Sequence, residues 1–488
     1  MKKKELVITD TKSFRRCPTK CYLENRDPDV GVEFYRKVDH QQILLACKEF
    51  FPEGQWIDSE DPNAIQTTQL AIENGTCLLN GTLSYQNKLQ VPIDILEKKG
   101  NHWILYGIQA NKYGERAAIA QLQQIAYCIQ IHPIPCKIQE LRLISINTEY
   151  TLKKTKAESP EQLLEIQTIP LSQRKRYTED YDAMIDTLAQ KQAPSPSLGK
   201  HCFKPEKCPY LESCFPDLKK PSIFNITGLN LDTKLQEFKN KKGSLKALKI
   251  GLTATQKELL NMYQTQTPII KQNKIIQFIN TLSYPLSFLD FEAFQSAIPI
   301  VEEALPYEHI PFQYSLHIIK KENRRPKHKH FLNKKKKAPH LPLLKSLLKH
   351  LPKTGSIIAF DKQFEKQTLT LLSKIYPKYT ERIEDIINRI IDIKRVFEDH
   401  YLYTPEMRGQ YSLKKMAESL LPQLSYQNLS IEHGEMAAHL YKKTRLHQKH
   451  PNRKEIYRDL EAYCSQDTYV LVELFKIILH VSRTGSLK

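Results

Sequence analysis

The sequence predicts an α/β protein, because strand-like and helix-like segments alternate along the chain. Apolar runs typical of buried strands, such as SYPLSFLDFEAF and GSIIAF, alternate with segments of helical period, such as LPLLKSLLKHL and RDLEAYCSQDTYVLVELFKIIL. The length of 488 residues is enough for two or three domains. We expect an N-terminal domain over 1–217, a lysine-rich helical linker over 218–283 and a C-terminal domain over 284–488.

The composition indicates an anionic partner. Lysine and arginine number 73 against 54 aspartates and glutamates, which gives a net charge of +19. Nucleic acid is the leading candidate, and lysines that merely face solvent are the alternative. The sequence has no apolar run long enough to cross a bilayer, and MKKKELVITDTKSFRR lacks the apolar core of a signal peptide. We therefore expect a cytoplasmic protein without a membrane partner.

Cysteines at regular spacing predict a metal site in the N-terminal domain. Cys202, Cys208 and Cys214 are separated by five residues each, in GKHCFKPEKCPYLESCFP. Disulfides are not expected in a cytoplasmic protein, and a fourth thiol is available from Cys17 or Cys21 near the N-terminus. Four thiolates suit a structural zinc ion or an iron–sulfur cluster. The alternative is a group of reduced cysteines without a ligand.

Two further segments lie between Cys21 and Cys202 in the sequence, VPIDILEKKGNHWILYGIQANK and QLQQIAYCIQ. Together they resemble the RecB/AddB-type iron–sulfur nucleases of the PD-(D/E)XK superfamily. That family carries an Asp, then Glu-x-Lys on the next strand, then Gln-x-x-x-Tyr on a helix. Asp94, Gln123 and Tyr127 match, whereas Gly107 and Gln109 replace the Glu and the Lys. The resemblance therefore implies a degenerate nuclease domain that binds a strand without cutting it.

The same resemblance implies a cofactor. Cys17, Cys202, Cys208 and Cys214 match the cysteines that hold a [4Fe–4S] cluster in this family, where the cluster fastens the two ends of the domain together. Zinc is the alternative occupant. His40 matches the metal-binding histidine of the family.

In the C-terminal domain, the segment 283–294 contains a pair of acids. Asp290 and Glu292 follow an apolar strand, and strand side chains alternate, so both carboxylates point to one face. Two carboxylates at the end of a buried strand are costly unless a cation neutralises them, and a divalent metal is the usual cation. The alternative is a surface strand with two solvated acids.

Two later segments carry further candidates. GSIIAFDKQFEK predicts a strand, a turn and a helix, with Glu365 at the junction. Tyr463 and Asp467 are four residues apart in a predicted helix and share one of its faces. This face otherwise carries core residues, which indicates a site, and a Tyr–Asp pair on the surface is the alternative.

These segments resemble the DnaQ-like 3′–5′ exonucleases, which have an RNase H-like fold. FLDFEAF, FDKQFEK and YCSQDT fit three motifs in order, in the tyrosine version, although Phe364-Glu365 takes the place of the Phe-Asp that ends the second motif in the superfamily. The segments also resemble an uncharacterised bacterial family that joins such a domain to a RecB-type one. The resemblance implies two Mg²⁺ or Mn²⁺ ions. Asp290 would bridge both ions, Glu292 and Asp467 would complete one site, Glu365 would serve the other, and Tyr463 would orient the attacking water.

The expected function is therefore a metal-dependent 3′–5′ exonuclease that acts on DNA or RNA with a single-stranded 3′ end. The alternative is a catalytically inactive protein that binds nucleic acid or serves as a scaffold. The sequence indicates no particular protein partner.

The segment RGQYSLKKM predicts a turn followed by a helix. Gly409 permits the turn, and Ser412 is expected to cap the helix. Lys414 and Lys415 follow directly and either contact phosphate or lie on a solvated helix face.

Overall fold

The computed structural model divides the chain into two compact units. It describes residues 7, 11–26, 33–134, 136–152, 160–171, 176–241, 245, 251–424, 426, 429–446 and 450–487. The first unit contains residues 1–216 and 296–308, and the second contains 217–295 and 309–488. Each unit is an α/β structure, in agreement with the predicted fold class.

The first unit is built on a six-stranded mixed sheet, in which neighbouring strands follow chain order. Its strands are β1 (Gln55–Trp56), β2 (Leu78–Tyr85), β3 (Leu89–Lys99), β4 (His102–Ile108), β5 (Ile138–Ile146) and β6 (Leu164–Ile169). Strands β1 and β2 pair in parallel, as do β4 and β5, and the other pairs are antiparallel. This arrangement places the β3–β4 hairpin at the centre of the sheet.

Eight helices surround this sheet among the described residues. They are α1 (Thr11–Arg16), α2 (Pro18–Arg26), α3 (Glu33–Ala46), α4 (Ala64–Glu73), α5 (Glu115–Ile131), α6 (Pro160–Leu163), α7 (Arg176–Ala189) and α8 (Leu211–Cys214). Apolar side chains of α4, α5 and α7 form the larger core with the strands. The distant segment 296–308 also belongs to this unit. Its residue Ala297 is buried in a second apolar core of the unit, and the Ala297 backbone N–H donates to the Asp39 carboxylate.

The second unit contains a five-stranded sheet and a two-stranded one. The described strands are β7 (Ile269–Ile270), β8 (Leu286–Phe294), β9 (Ile310–Ile319), β10 (Lys327–Leu332), β11 (Ile357–Ala359), β12 (Ile390–Asp392) and β13 (Leu402–Tyr403). The large sheet has the order β10-β9-β8-β11-β12, and β13 pairs with β7. Strands β8, β9 and β10 are antiparallel, and β11 and β12 continue parallel to β8.

Ten helices of the described residues belong to this unit. They are α9 (Leu231–Lys241), α10 (Ala254–Thr265), α11 (Gln272–Ile279), α12 (His340–His350), α13 (Gln363–Ile375), α14 (Thr380–Asn388), α15 (Arg395–Glu398), α16 (Leu413–Leu420), α17 (Gly434–Leu446) and α18 (Arg453–Thr484). Helices α12 to α14 pack with one face of the sheet in an apolar core that includes Leu289 and Phe291. Helix α18 packs against β8 and β9.

The observed division differs from the predicted one in two respects. Residues of the predicted linker, 218–283, belong to the second unit and include α9, α10 and α11. Residues 296–308 lie in the first unit, although the sequence assigned them to the C-terminal domain. Among the described residues, no helix combines the length and apolar character needed to cross a membrane.

Candidate active site

Strand β8 carries Asp290 and Glu292 on one face of its sheet, as alternation predicts. Asp290 pairs with Ser315 of β9, and Glu292 pairs with Gln313. Asp290 is half-buried, and Glu292 is 8% exposed. Their neighbours Leu289 and Phe291 point to the opposite, apolar face. The two carboxylates therefore lie on the face where α18 packs.

Helix α18 brings three more groups to these acids. A carboxylate oxygen of Asp290, one of Glu292 and the Cys464 sulfur lie within 4.8 Å of one another. The Cys464 thiol contacts Asp290 Oδ2 at 3.5 Å. Tyr463 and Asp467 are both buried, and Tyr463 hydrogen-bonds to Asp467 one helical turn away. The Tyr–Asp pair is thus a buried part of this cluster.

The fourth acid, Glu365, comes from the first turn of α13. It is 2% exposed, its Oε2 has no hydrogen-bond partner among the described residues, and the charge of Asp290 acts on it. Asp392 holds the preceding turn, because its carboxylate accepts hydrogen bonds from the backbone N–H groups of Asp361 and Lys362. This turn starts α13 directly after β11 and so directs Glu365 toward the other acids.

The acid cluster carries unfavourable charge in the absence of a cation. Burial raises the pKa values of Asp290, Glu292 and Glu365 well above their usual range, and neighbouring carboxylates raise them further. Burial also raises the pKa of Asp467 to about 6, although hydrogen bonds from Tyr426 and Tyr463 and the charge of Lys414 act in the opposite direction. Four carboxylates in this state are suited to bind divalent cations.

These raised pKa values predict that the protein without divalent cations loses stability as the pH rises. A carboxyl group that binds its proton more tightly in the folded state contributes to stability. This contribution is complete at pH values below the pKa of the group in the unfolded state, and it is lost as the pH rises through the pKa of the folded state. For Asp467 this pH window runs from 3.8 to about 6, and the unfolding free energy lost across it is on the order of 3 kcal/mol. We expect a lower melting temperature for the second unit at pH 8 than at pH 5, and a larger stabilisation by Mn²⁺ at pH 8. Equal melting temperatures at both pH values would contradict the burial of charge.

The structure adds two residues that the sequence motifs did not assign to the site. The Tyr426 hydroxyl donates to Asp467 Oδ1 at 2.5 Å. The Lys414 ammonium lies over the rings of both Tyr426 and Tyr463, at 5.3 and 5.6 Å from their centroids. Tyr426 lies 41 residues before Asp467 in sequence, and Lys414 lies further away still, so no local spacing indicates their role.

Helix α17 also starts at the acid cluster. Gly434 is its first residue, and a Cβ added there would lie 3.6 Å from Glu292 Oε2. His433 accepts a hydrogen bond from the Met436 N–H at this helix start. Gln313 donates to the Leu460 carbonyl and holds α18 on the sheet. These residues shape the wall of the site.

The four predicted cysteines surround one small pocket of the first unit. Cys17, Cys202, Cys208 and Cys214 all line it, together with Lys20. Burial and then the other three thiols raise the pKa of Cys214 to about 11, which reflects their proximity. Cys21 belongs instead to the hydrophobic core.

Local structure separates Cys17 from Cys21. Cys17 lies at the break between α1 and α2, where Pro18 begins the second helix. Next to this break, the Arg16 guanidinium donates to the carbonyls of His201 and Glu206. These bonds attach the start of the chain to the loop that holds the other three cysteines.

Asp94, the first residue of the nuclease-like motif in the first unit, contacts a histidine and a backbone N–H group. Asp94 Oδ1 lies 3.0 Å from His40 Nε2, and its Oδ2 accepts the Ile108 N–H at 2.8 Å. A Cβ added at Gly107 would lie 2.9 Å from Leu122 Cδ1. Leu122 therefore occupies the space that a glutamate at 107 would need.

The other residues at the motif positions form hydrogen bonds or ring contacts with groups outside the motif. Gln109 donates to the Asn111 carbonyl and Gln123 to the Pro170 carbonyl. Tyr127 packs against Tyr177 with ring centroids 5.7 Å apart. The described part of the first unit thus offers Asp94 and His40 but no group of three close acidic or histidine ligands.

Restoring the missing motif is expected to be insufficient for activity. The Gly107→Glu, Gln109→Lys variant forces Leu122 out of its position, and we expect a loss of about 1–3 kcal/mol in unfolding free energy. Urea denaturation measures this loss, with Gln109→Lys alone as the control. In an Asp290→Asn background, metal-dependent cleavage by the double substitution would contradict the prediction.

Comparisons with known proteins give no functional description of this chain. A family model described as a domain of unknown function, DUF2779, matches residues 287–412, which include Asp290, Glu292 and Glu365. An uncharacterised protein of Mycoplasma genitalium is 24% identical over 242 residues, which are 44% of this chain and 35% of that protein. The similarity therefore spans about a third of this relative's length. No solved structure matches the chain.

Proposed function

We propose that the second unit is a metal-dependent 3′–5′ exonuclease that hydrolyses the phosphodiester bonds of DNA or RNA. The observation that carries the proposal is the convergence of Asp290, Glu292, Glu365 and Asp467 from three separate elements, three of them more than 90% buried. Buried carboxylates without compensating cations are costly, and all-oxygen ligands suit Mg²⁺ or Mn²⁺. The unpartnered Oε2 of Glu365 fits the same conclusion.

The sheet order supports the resemblance to RNase H-like exonucleases. The antiparallel strands β8, β9 and β10 are followed by β11 and β12, which extend the sheet on the other side of β8 in parallel. This order puts Asp290 and Glu292 on a central strand. The acid of α13 follows the neighbouring parallel strand, as the predicted second motif requires.

The residues of this site have distinct roles in the proposed reaction. Bound divalent cations would polarise the phosphodiester and the attacking water. Asp290 and Glu292, with Asp467, would hold one cation, and Asp290 with Glu365 the other. Burial and the charge of Asp467 raise the pKa of Tyr463, so its hydroxyl remains protonated near neutral pH. Tyr463 therefore orients the water by a hydrogen bond and does not serve as the general base.

The charge distribution supports a nucleic-acid substrate. Around strand β10, ten lysines and arginines between residues 320 and 337 are exposed, against one acid, Glu322. Phosphate backbones bind such basic surfaces. The first unit would bind or guide the strand.

For the first unit we propose a [4Fe–4S] cluster on Cys17, Cys202, Cys208 and Cys214. Tetrahedral zinc would hold its sulfur ligands about 3.8 Å apart. No three of these four thiols lie within 4.8 Å of one another, and a cubane separates its ligands more widely. Burial raises the pKa of the Cys208 thiol, and the charges of Lys20 and Arg16 act in the opposite direction.

End-labelled oligonucleotides test the nuclease proposal. With 5′-labelled single strands of DNA or RNA and Mg²⁺ or Mn²⁺, we expect a ladder of products that shorten from the 3′ end. Chelation should stop the reaction. Internal cuts or shortening from the 5′ end would overturn the polarity, and binding without degradation would favour an inactive nucleic-acid-binding protein.

A further inference from the structure

Lys414 is a cation placed at the wall of the acid cluster. It is the second residue of α16, whose N-terminus is capped by the Ser412 side chain, which accepts the Lys415 N–H. The preceding Gly409 has a φ of +74°, so the chain turns directly before the helix. The predicted turn and cap are confirmed, and they fix the direction in which the Lys414 side chain leaves the helix.

Two aromatic rings hold the Lys414 ammonium. Tyr426 and Tyr463 meet with their centroids 6.3 Å apart at 60°, and the Lys414 Nζ lies over both. Cation–π contacts of this kind are attractive, because the face of an aromatic ring carries negative partial charge. No carboxylate of the described residues is within ion-pair distance of this Nζ, although the charges of Asp467 and Glu292 act on it.

The adjacent lysine has a different environment. Lys415 Nζ forms an ion pair with Glu418 at 3.1 Å, and Glu418 is largely exposed. Lys414 therefore faces the acid cluster, whereas the adjacent Lys415, which carries the same charge, faces a surface glutamate. They form a matched pair for experiment.

We propose that Lys414 is a phosphate-binding residue, which contacts a nonbridging oxygen of the scissile phosphodiester. This inference rests on the proposed exonuclease function. Once the carboxylates hold divalent cations, their negative charge is no longer available to the Lys414 ammonium. A phosphate oxygen between the cations and Lys414 would interact favourably with both positive charges. The water oxygen bonds to phosphorus and the P–O3′ bond breaks; the water gives up one proton to solvent and the departing 3′ oxygen takes one up to become a hydroxyl. Lys414 forms no covalent bond and keeps its protons. Its contribution is to the charge that develops on the phosphoryl oxygens.

The Lys414→Met variant tests this role, since methionine keeps much of the apolar stem and removes the charge. We expect kcat to fall by about 10²–10³-fold, as for other removed donors to a developing oxyanion. Lys415→Met should retain wild-type kcat. Lys414→Arg should recover a large part of the activity because it restores a donor cation.

A second measurement separates this role from a structural one. In calorimetry without nucleic acid, Lys414→Met should bind Mn²⁺ as tightly as wild type or severalfold more tightly, because a like charge is removed. Weaker Mn²⁺ binding together with a lower melting temperature would assign Lys414 to site structure and overturn the proposal. If Lys414→Met does not fold, Lys414→Gln takes its place.

The possible failures are distinguishable. Wild-type protein that degrades no oligonucleotide would remove the exonuclease proposal itself. An active wild type with equal kcat for Lys414→Met and Lys415→Met would remove only the role of Lys414.

Discussion

The Asp290→Asn variant is expected to lose nuclease activity by about a thousandfold or more while gaining stability in buffer without divalent cations. Asp290 lies between Glu292, Cys464 and the charges of Glu365 and Asp467, so its carboxylate is the shared ligand of the proposed centre. Loss of a ligand common to both cations removes several kcal/mol of transition-state stabilisation. The neutral amide also removes a buried negative charge from the cation-free protein.

These opposite changes are measured on the same preparation, by an end-labelled nuclease assay and by thermal denaturation. Asp399→Asn is the matched control, because Asp399 is 41% exposed and lies 3.9 Å from Arg395 at the surface of the same unit. We expect the control to leave both quantities unchanged. An active Asp290→Asn variant would falsify the proposed centre, and a less stable one would show that the amide disrupts packing.

The Cys208→Ser variant is expected to lose the iron of the proposed cluster and to lower the melting temperature of the first unit by roughly 20 °C or more. A metal site held by cysteines supplies on the order of 10 kcal/mol of folding free energy. Cys208 is buried, and its backbone N–H donates to the Cys202 carbonyl. Its loss therefore releases the loop that carries Cys202 and Cys214 from the N-terminal helices.

Anaerobic purification, visible absorbance and metal analysis measure the first effect, and calorimetry measures the second. Cys77→Ser is the control, because Cys77 is a half-buried cysteine of the same unit that does not line the pocket. A colourless wild type with one zinc per chain would favour the zinc alternative. Wild-type protein without iron or zinc, or an unchanged melting transition in Cys208→Ser, would remove the metal site.

Local rules predicted the parts of each site that lie within one element. Alternation along a strand placed Asp290 and Glu292 on one face, and a spacing of four placed Tyr463 and Asp467 on one helical face. The same spacing could not distinguish Cys17 from Cys21, since both would share one helical face. In the folded chain Cys17 lines the pocket with the other three cysteines, whereas Cys21 belongs to the hydrophobic core, and this depends on how α1 and α2 pack.

The sequence by itself determined the α/β class, the strand that carries Asp290 and the cysteines that can act together. The tertiary structure decided which distant groups meet them: Glu365 from α13, Tyr426 on Asp467, and Lys414 over two tyrosine rings. It also decided that Leu122 fills the space beside Gly107. The physical reason is that periodicity sets directions within an element, whereas contacts between elements depend on how their buried faces pack. For this reason the acid pair of β8 was predictable, whereas the sequence could not distinguish Lys414, which lies over the two tyrosine rings, from Lys415, which pairs with a surface glutamate.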